Sequence, residues 1–89
     1  DIASEWYVRL TASDRSGVMS DITQILAGRD ISIESIMQKP PAPGSDKVPF
    51  VLLTHVAPQS VMTGALNEIT ALEGVEADAA LMRVEAFDR

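Results

Sequence analysis

Cysteine is absent from this 89-residue sequence, and histidine, tryptophan and tyrosine each occur once. Without cysteine the chain has no disulfide, no thiolate metal ligand and no cysteine nucleophile. A single histidine, His55, excludes any site that needs two imidazoles. The lack of cysteine also fits a cytoplasmic protein, because disulfides belong to oxidising compartments. Several classes of catalytic and metal site are therefore excluded.

Basic residues and long apolar runs are also scarce. Seven Lys and Arg residues stand against 13 Asp and Glu residues, which gives a net charge of −6. Nucleic acid is a poor partner for such a chain, because phosphate backbones are bound by clustered basic side chains. No apolar run approaches the roughly 20 residues of a membrane-spanning helix. The sequence begins with Asp1 and has no signal-peptide pattern, so we expect a fragment of a longer protein.

The length and the apolar content describe one globular domain. Eighty-nine residues leave no room for a second hydrophobic core, so we assign residues 1–89 to a single domain with its core in about 6–87. A chain this short buries only about 60–65% of its unfolded surface. We therefore expect a partner subunit to contribute to its stability.

Apolar periodicity predicts four strands and two helices. Residues 6–12 alternate with the period of two that marks a strand with one buried face. Residues 16–28 carry apolar side chains at helical spacing, with Asp14 or Ser16 as candidate caps and Gly28 at the end. A second helix is expected from Pro58 to a cap at Gly74. The remaining strands are predicted at 31–38, 48–56 and 79–87, of which 48–56 is continuously apolar and so expected to be central and covered on both sides.

The connections between these elements complete the predicted topology. The alternation slips near Ser35 and Ile36, which suggests a bulge or a strand contacted on both faces. Three prolines between 40 and 43 favour an exposed hairpin loop. The order β-α-β-β-α-β predicts an α+β, ferredoxin-like fold with a four-stranded antiparallel sheet and both helices on one face. The second and fourth strands are then edges, and the second is a natural place for another subunit to pair.

The turn Asp14-Arg15-Ser16-Gly17-Val18-Met19 joins the first strand to the first helix. Backbone N–H groups at a helix N-terminus have no intrahelical partner, and the helix dipole adds partial positive charge there. A carboxylate or phosphate is therefore favoured at this turn. Gly17 would let a ligand approach the backbone closely, because it has no β-carbon.

This turn and the segments that follow resemble the ACT domain, a small regulatory module that binds amino acids. Asp14-Arg15-Ser16-Gly17-Val18-Met19 is similar to the family's first-turn signature, in which proline usually stands where this chain has Ser16. The phrases Ile31-Ser32-Ile33-Glu34-Ser35-Ile36-Met37-Gln38-Lys39 and Val48-Pro49-Phe50-Val51-Leu52-Leu53-Thr54-His55 resemble the C-terminal ACT domains of the bacterial homoserine dehydrogenase family. The resemblance covers about residues 6–85.

The resemblance implies a regulatory function. The longer enzyme would reduce aspartate semialdehyde to homoserine with NADP or NAD, bound in a catalytic portion outside this fragment. No cofactor is expected in these 89 residues, because they contain no Gly-x-Gly-x-x-Gly fingerprint and no acid–base constellation. The fragment would sense an end product, most plausibly L-threonine. In this family the ligand usually lies between paired domains, which would associate through the second strand edge or the first helix.

The candidate ligand-binding residues follow from that implied function. The turn residues, Asp14, Arg15, Ser16, Gly17, Val18 and Met19, would take the ligand carboxylate on the backbone from Ser16 to Met19. Asp14 is the nearest acceptor for the ammonium, and Ser35 and Gln38 could serve a threonine hydroxyl. The structural alternative is that Asp14 only caps its helix and Gln38 is a solvated edge residue.

Other functions compete with amino-acid sensing. An ACT-like module that has lost its ligand would only hold subunits together, and Ser16 keeps this alternative open. An RNA-recognition domain shares the β-α-β-β-α-β order but needs exposed aromatics and a basic surface, whereas Phe50 is the one aromatic residue of the predicted third strand. A small phosphatase could use Arg15 in a phosphate-binding turn, yet no residue that would position a water is evident.

Overall fold

The computed structural model describes residues 1–13 and 17–84, which form two helices and six strands. The first and the last of these elements are strands, and the two longest strands are Trp6–Ser13 and Lys47–Thr54. The elements are β1 (Ala3–Ser4), β2 (Trp6–Ser13), α1 (Val18–Gly28), β3 (Ile33–Gln38), β4 (Lys47–Thr54), β5 (Ala57–Pro58), α2 (Gln59–Thr70) and β6 (Ala80–Arg83).

Four strands form one antiparallel sheet in the order β3-β4-β2-β6. This confirms the predicted ferredoxin-like sheet, with β3 and β6 at its edges and β4 between β3 and β2. The exposed hairpin loop between β3 and β4 is also confirmed, with Ser45 N–H bonded to the Ala42 carbonyl at 3.0 Å. Strands β3 and β6 are the edges because each βαβ crossover has to leave room for the strand of the other unit.

The core lies between one sheet face and the two helices. Alternate residues of β2 and β4 are buried there, as the period of two predicts. The helices contribute their apolar stripes, and Leu66 of α2 and Leu72 after its end are half-buried. The fully packed set is Trp6, Val8, Leu10, Ala12, Val18, Ile22, Leu26, Ile31, Val48, Phe50, Leu52, Ala57, Met62, Ala65, Ile69 and Val75.

The other face of the sheet carries no helix. On β4 its side chains, among them Val51 and Leu53, are only half-buried. The prediction that this strand is covered on both sides is therefore wrong for the single chain. On β6 the residue opposite Val8 is Leu81, whereas Met82 pairs with Tyr7 and is half exposed. Residues 85–87 of the predicted last strand lie outside the described residues.

A bulge in β3 explains the slip in its apolar alternation. Ile33 pairs with Thr54 and Ser35 with Leu53, so Glu34 is an extra residue in the ladder. One extra residue reverses the parity of everything that follows it. Ile33 before the bulge and Ile36 after it therefore both lie on the helix-bearing face. The predicted bulge is confirmed, one residue earlier than the slip suggested.

The predicted end of the first helix at Gly28 is confirmed, whereas the predicted cap of the second helix at Gly74 is wrong. Gly28 is the last residue of α1, and the left-handed residue that stops the helix is Asp30, with φ of 61°. The Ile31 N–H bonds to the Leu26 carbonyl at 2.9 Å, which is the bond of a Schellman motif that spans six residues. Helix α2 ends at Thr70, so Gly74 does not cap it.

Gly74 instead lies in the segment after α2, and this segment is hydrogen-bonded to β2. Its φ is 92°, and its carbonyl accepts a hydrogen bond from the Ser13 N–H at 2.7 Å. The Glu76 N–H then bonds to the Thr11 carbonyl at 2.8 Å. The segment between Thr70 and Glu76 therefore turns the chain back toward the sheet, and a left-handed glycine serves that turn.

A two-stranded ribbon that the sequence did not predict ties the start of the chain to α2. Strands β1 and β5 pair Ala3 with Pro58, and the Gln59 N–H bonds to the Ile2 carbonyl at 2.7 Å. The Asp1 carboxylate accepts hydrogen bonds from the N–H and hydroxyl of Ser60 at 3.2 and 2.5 Å. It thereby caps α2, whose own N-cap residue, Pro58, has no capping side chain.

Candidate ligand-binding site at the start of α1

Helix α1 begins at an unusual N-cap residue. Gly17 occupies that position with φ of 97°, makes no side-chain cap, and accepts the first helical hydrogen bond from the Asp21 N–H at 2.9 Å. The prediction that Asp14 or Ser16 caps α1 is therefore wrong, because the N-cap residue is Gly17. Residues Asp14, Arg15 and Ser16 themselves lie outside the described residues.

The first turn of α1 has backbone N–H groups that could bind a ligand. The N–H groups from Val18 to Ser20 precede the first i to i−4 bond and have no partner within the helix. The Val18 side chain is buried and that of Met19 is half-buried, so both side chains anchor the turn to the domain. A β-carbon placed on Gly17 would meet no described atom within 4 Å. Among residues 1–13 and 18–84, none covers the side of Gly17 on which a β-carbon would stand.

Gln38 lies at the same end of the sheet as this turn. Strands β2 and β3 both run antiparallel to β4 and so parallel to each other. Their C-terminal ends, Ser13 and Gln38, therefore lie at one end of the sheet. Gln38 pairs with Phe50, a core residue, and so stands on the face that carries α1.

Ser35 does not share that face. Its partner on β4 is Leu53, whose row continues to Tyr7 and Met82 on the helix-free side. The predicted pair of Ser35 and Gln38 is therefore split between the two faces of the sheet by strand pleating. Only Gln38 is placed to join the α1 turn within one chain.

The helix-bearing side of the β3 edge is incompletely covered. Ile36 is 46% exposed and Gln38 is exposed, although both stand on the face that α1 covers elsewhere. On the other face Met37 is 59% exposed. An edge strand with unpaired backbone groups and exposed apolar side chains is suited to pairing with another chain.

A separate concave surface lies between α1 and α2. It has a volume of about 740 Å³, and no pattern in the sequence singled it out, because its two walls are distant along the chain. The residues that line it are Asp21, Gln24, Ile25, Gly28, Arg29, Glu68 and Leu72.

Comparison with known proteins identifies the family. The model of the ACT domain family matches residues 6–74, which include the α1 turn, the β3 edge and both helices. The chain belongs to the ACT domain family. Over all 89 residues it is 38% identical to the homoserine dehydrogenase of Methylobacillus glycogenes, of which it spans 22%. The chain therefore spans about a fifth of the length of that curated relative.

Solved structures agree with this assignment. The crystal structure of a homoserine dehydrogenase from Thiobacillus denitrificans superimposes with a TM-score of 0.84 and 37% identity, over 94% of this ACT domain and 18% of that chain. The ACT domain from GTP pyrophosphokinase of Chlorobium tepidum gives a TM-score of 0.71 at 16% identity, over 91% of this chain and all of that one. The second likeness shows the fold alone.

Two further classes of site were searched in this ACT domain. Among residues 1–13 and 17–84, no group of three or more His, Asp or Glu side chains could hold a metal ion. In the same part of the chain, neither helix is long and apolar enough to cross a membrane.

Proposed function

We propose that this ACT domain is the amino-acid sensor of a homoserine dehydrogenase and that its ligand is L-threonine. The observation that carries the proposal is the open N-terminus of α1 at Gly17 in a chain of the ACT family. The similarity to homoserine dehydrogenases supports the choice of enzyme. Reduction of aspartate semialdehyde, with NADP or NAD, would belong to the part of the enzyme outside these 89 residues.

The ligand carboxylate would bind at the first turn of α1. The backbone N–H groups there point along the helix axis, and the helix dipole favours an anion at this end. The absence of a β-carbon at Gly17 gives the carboxylate room. Asp14 would accept the ligand ammonium.

The threonine side chain would extend toward the β3 edge. Gln38 stands on the correct face and at the correct end of the sheet, and its amide can donate to or accept from a hydroxyl. Ser35 is left out of the pocket, because it stands on the opposite face. A second copy paired along β3 would close the exposed side of this site.

Regulation would then follow from assembly. A ligand held between two paired domains stabilises the pair, and a distant active site responds only if its states differ in ligand affinity. A coupling free energy of about 1–3 kcal/mol is typical of such systems. The same proposal places the protein in the cytoplasm, where this biosynthetic step would occur.

The decisive experiment is a thermal melt of the 89-residue chain with L-threonine, and separately with serine, isoleucine, lysine and methionine. A ligand at 100 times its Kd adds about 2.7 kcal/mol, which raises the Tm of a domain this size by about 10 °C or more. A shift with threonine alone is expected. A shift with another amino acid would keep the sensor and replace the ligand.

Two glycine variants locate the site. Gly17→Val should abolish binding, but φ of 97° means that it also strains the backbone. Gly44→Val is the matched control, because Gly44 has φ of 79°, equally open surroundings and a place in the exposed hairpin loop. If both variants lose stability but bind threonine equally, the site lies elsewhere. If no amino acid shifts the Tm of the folded wild-type chain, the ligand-free assembly module is favoured.

A further inference from the structure

The α1–α2 surface combines an apolar floor with charged walls. Ile25 of α1 and Leu72 after α2 are half-buried and pack against the core, so they form its floor. Asp21 and Gln24 stand on one wall, at the spacing that places helical residues on one face. Neither side chain has a hydrogen-bond partner among the described residues. Both are therefore available to a ligand.

The opposite end of this surface is held by an ion pair. The Arg29 Nε donates to Glu68 Oε1 at 2.6 Å, and Nη2 donates to the same oxygen. These two bonds leave three of the five guanidinium N–H groups free. The two charges cancel, so Asp21 gives the surface an excess negative charge. The surface thus has one end that attracts a cation and another that can donate to an anion.

The spacing of these ends defines the ligand. Asp21 of α1 and Arg29, the residue that follows its last turn, are eight residues apart, which corresponds to about 12 Å along the axis of an ideal helix. Between them lie the apolar floor and Gly28, where an added β-carbon would meet no described atom within 4 Å. The cationic and anionic groups of a ligand that reaches both ends must therefore be separated by an apolar chain of several carbons.

We infer that the α1–α2 surface binds a zwitterion whose primary ammonium and carboxylate are joined by an aliphatic chain. The ammonium meets Asp21 and the Gln24 side-chain carbonyl, the carboxylate takes the free N–H groups of Arg29, and the chain lies on Ile25 and Leu72. The concave surface has a volume of about 740 Å³ and is largely open to solvent, so the ligand would lie along it rather than be enclosed. This site is distinct from the threonine site proposed at the α1 turn.

The test is a ¹H–¹⁵N NMR titration of the 89-residue chain with 6-aminohexanoate, and with hexylamine and hexanoate as half-ligands. We expect saturable shifts of the Gln24, Gly28 and Leu72 amides with 6-aminohexanoate and weaker binding of either half-ligand. Equal affinity for hexylamine would overturn the role given to Arg29. Absence of saturable shifts at these amides would overturn the site.

Two variants with matched controls test the same geometry. Gly28→Leu fills the surface and should abolish these shifts, whereas Ala27→Leu, one residue earlier on an exposed part of α1, should not. Asp21→Asn should weaken binding roughly fivefold, as expected for one exposed charge pair. Glu34→Gln removes the same charge outside the surface and should leave the affinity unchanged; an equal loss there would refute a specific role for Asp21.

The two proposed sites can fail separately. Saturating L-threonine should not displace 6-aminohexanoate. A domain that ignores threonine but binds 6-aminohexanoate would retain this inference and lose the proposed function. Competition between the two ligands would overturn the second site.

Discussion

The guanidinium of Arg29 lies against Gly64 on the neighbouring helix. A β-carbon at Gly64 would stand 2.7 Å from Arg29 Nη1, closer than such atoms approach in proteins. Glycine in the interior of α2 therefore lets Arg29 reach Glu68, four residues further along that helix. The glycine that permits this contact also lowers the helix propensity of α2, because glycine disfavours a helix interior.

Gly64→Ala should consequently have different effects in two backgrounds. In the Arg29→Ala chain it should stabilise the fold by about 1 kcal/mol through helix propensity. In the wild type, displacement of Arg29 from Glu68 should remove about 0.2–1 kcal/mol of that gain. Urea unfolding of the four chains in this cycle gives the coupling. Strict additivity would show that Arg29 yields to the new methyl group at no cost.

Asp30 holds a left-handed conformation that glycine or asparagine would adopt more easily. Asp30→Gly should stabilise the domain by about 0.5–1 kcal/mol, since strain at φ of 61° is relieved and an acidic group leaves the C-terminal end of α1. Asp30→Ala keeps a β-carbon in the left-handed region and should destabilise. Thermal unfolding measures both variants, and the same sign for the two would contradict the strain argument.

Thr54 is a buried hydroxyl with two partners. Its Oγ1 accepts from the Trp6 N–H at 3.2 Å and donates to the His55 carbonyl at 2.8 Å. Thr54→Val keeps the shape but leaves a buried N–H unpaired, so we expect a loss of about 1–3 kcal/mol in urea unfolding. Thr54→Ser retains both bonds and serves as the control. A larger loss with serine than with valine would assign the role to the methyl group.

The β3 edge provides a test of pairing. Ile36 is 46% exposed on the helix-bearing face, and lysine on an edge strand discourages association. Ile36→Lys should weaken self-association by roughly tenfold or more in sedimentation equilibrium, with little effect on the Tm of the monomer. Lys substitution of Met82, half exposed on β6, is the control for the other edge. Loss of association only with the Met82 variant would move the interface to β6.

Local periodicity determined most of the secondary structure. The alternation from Trp6 to Ala12 and the helical stripes at Ile22 and Met62 each contain the period of their element, so their buried faces were predictable. The slip in alternation near Ser35 and Ile36 suggested either a bulge or a strand contacted on both faces, and the structure shows the bulge. The family resemblance rested on consecutive residues, such as those from Ile31 to Lys39, and the comparison with known proteins confirmed it.

Hydrogen bonds between distant residues decided what the sequence did not reveal. The capping of Ser60 by Asp1 and the β1–β5 ribbon join segments that are more than 50 residues apart, and no local pattern marks such pairs. The hydrogen bond from the Ser13 N–H to the Gly74 carbonyl likewise exists only in the assembled fold.

The candidate sites show the same division. The sequence alone determined that a glycine turn leads into α1 and that Gln38 ends the second strand. Only the tertiary structure decided that the bulge falls at Glu34, before Ser35, so that regular pleating from Ser35 to Gln38 places these two side chains on opposite faces. It also decided that Asp21, Arg29 and Glu68 line one surface, because helix packing brings together residues that the chain keeps apart.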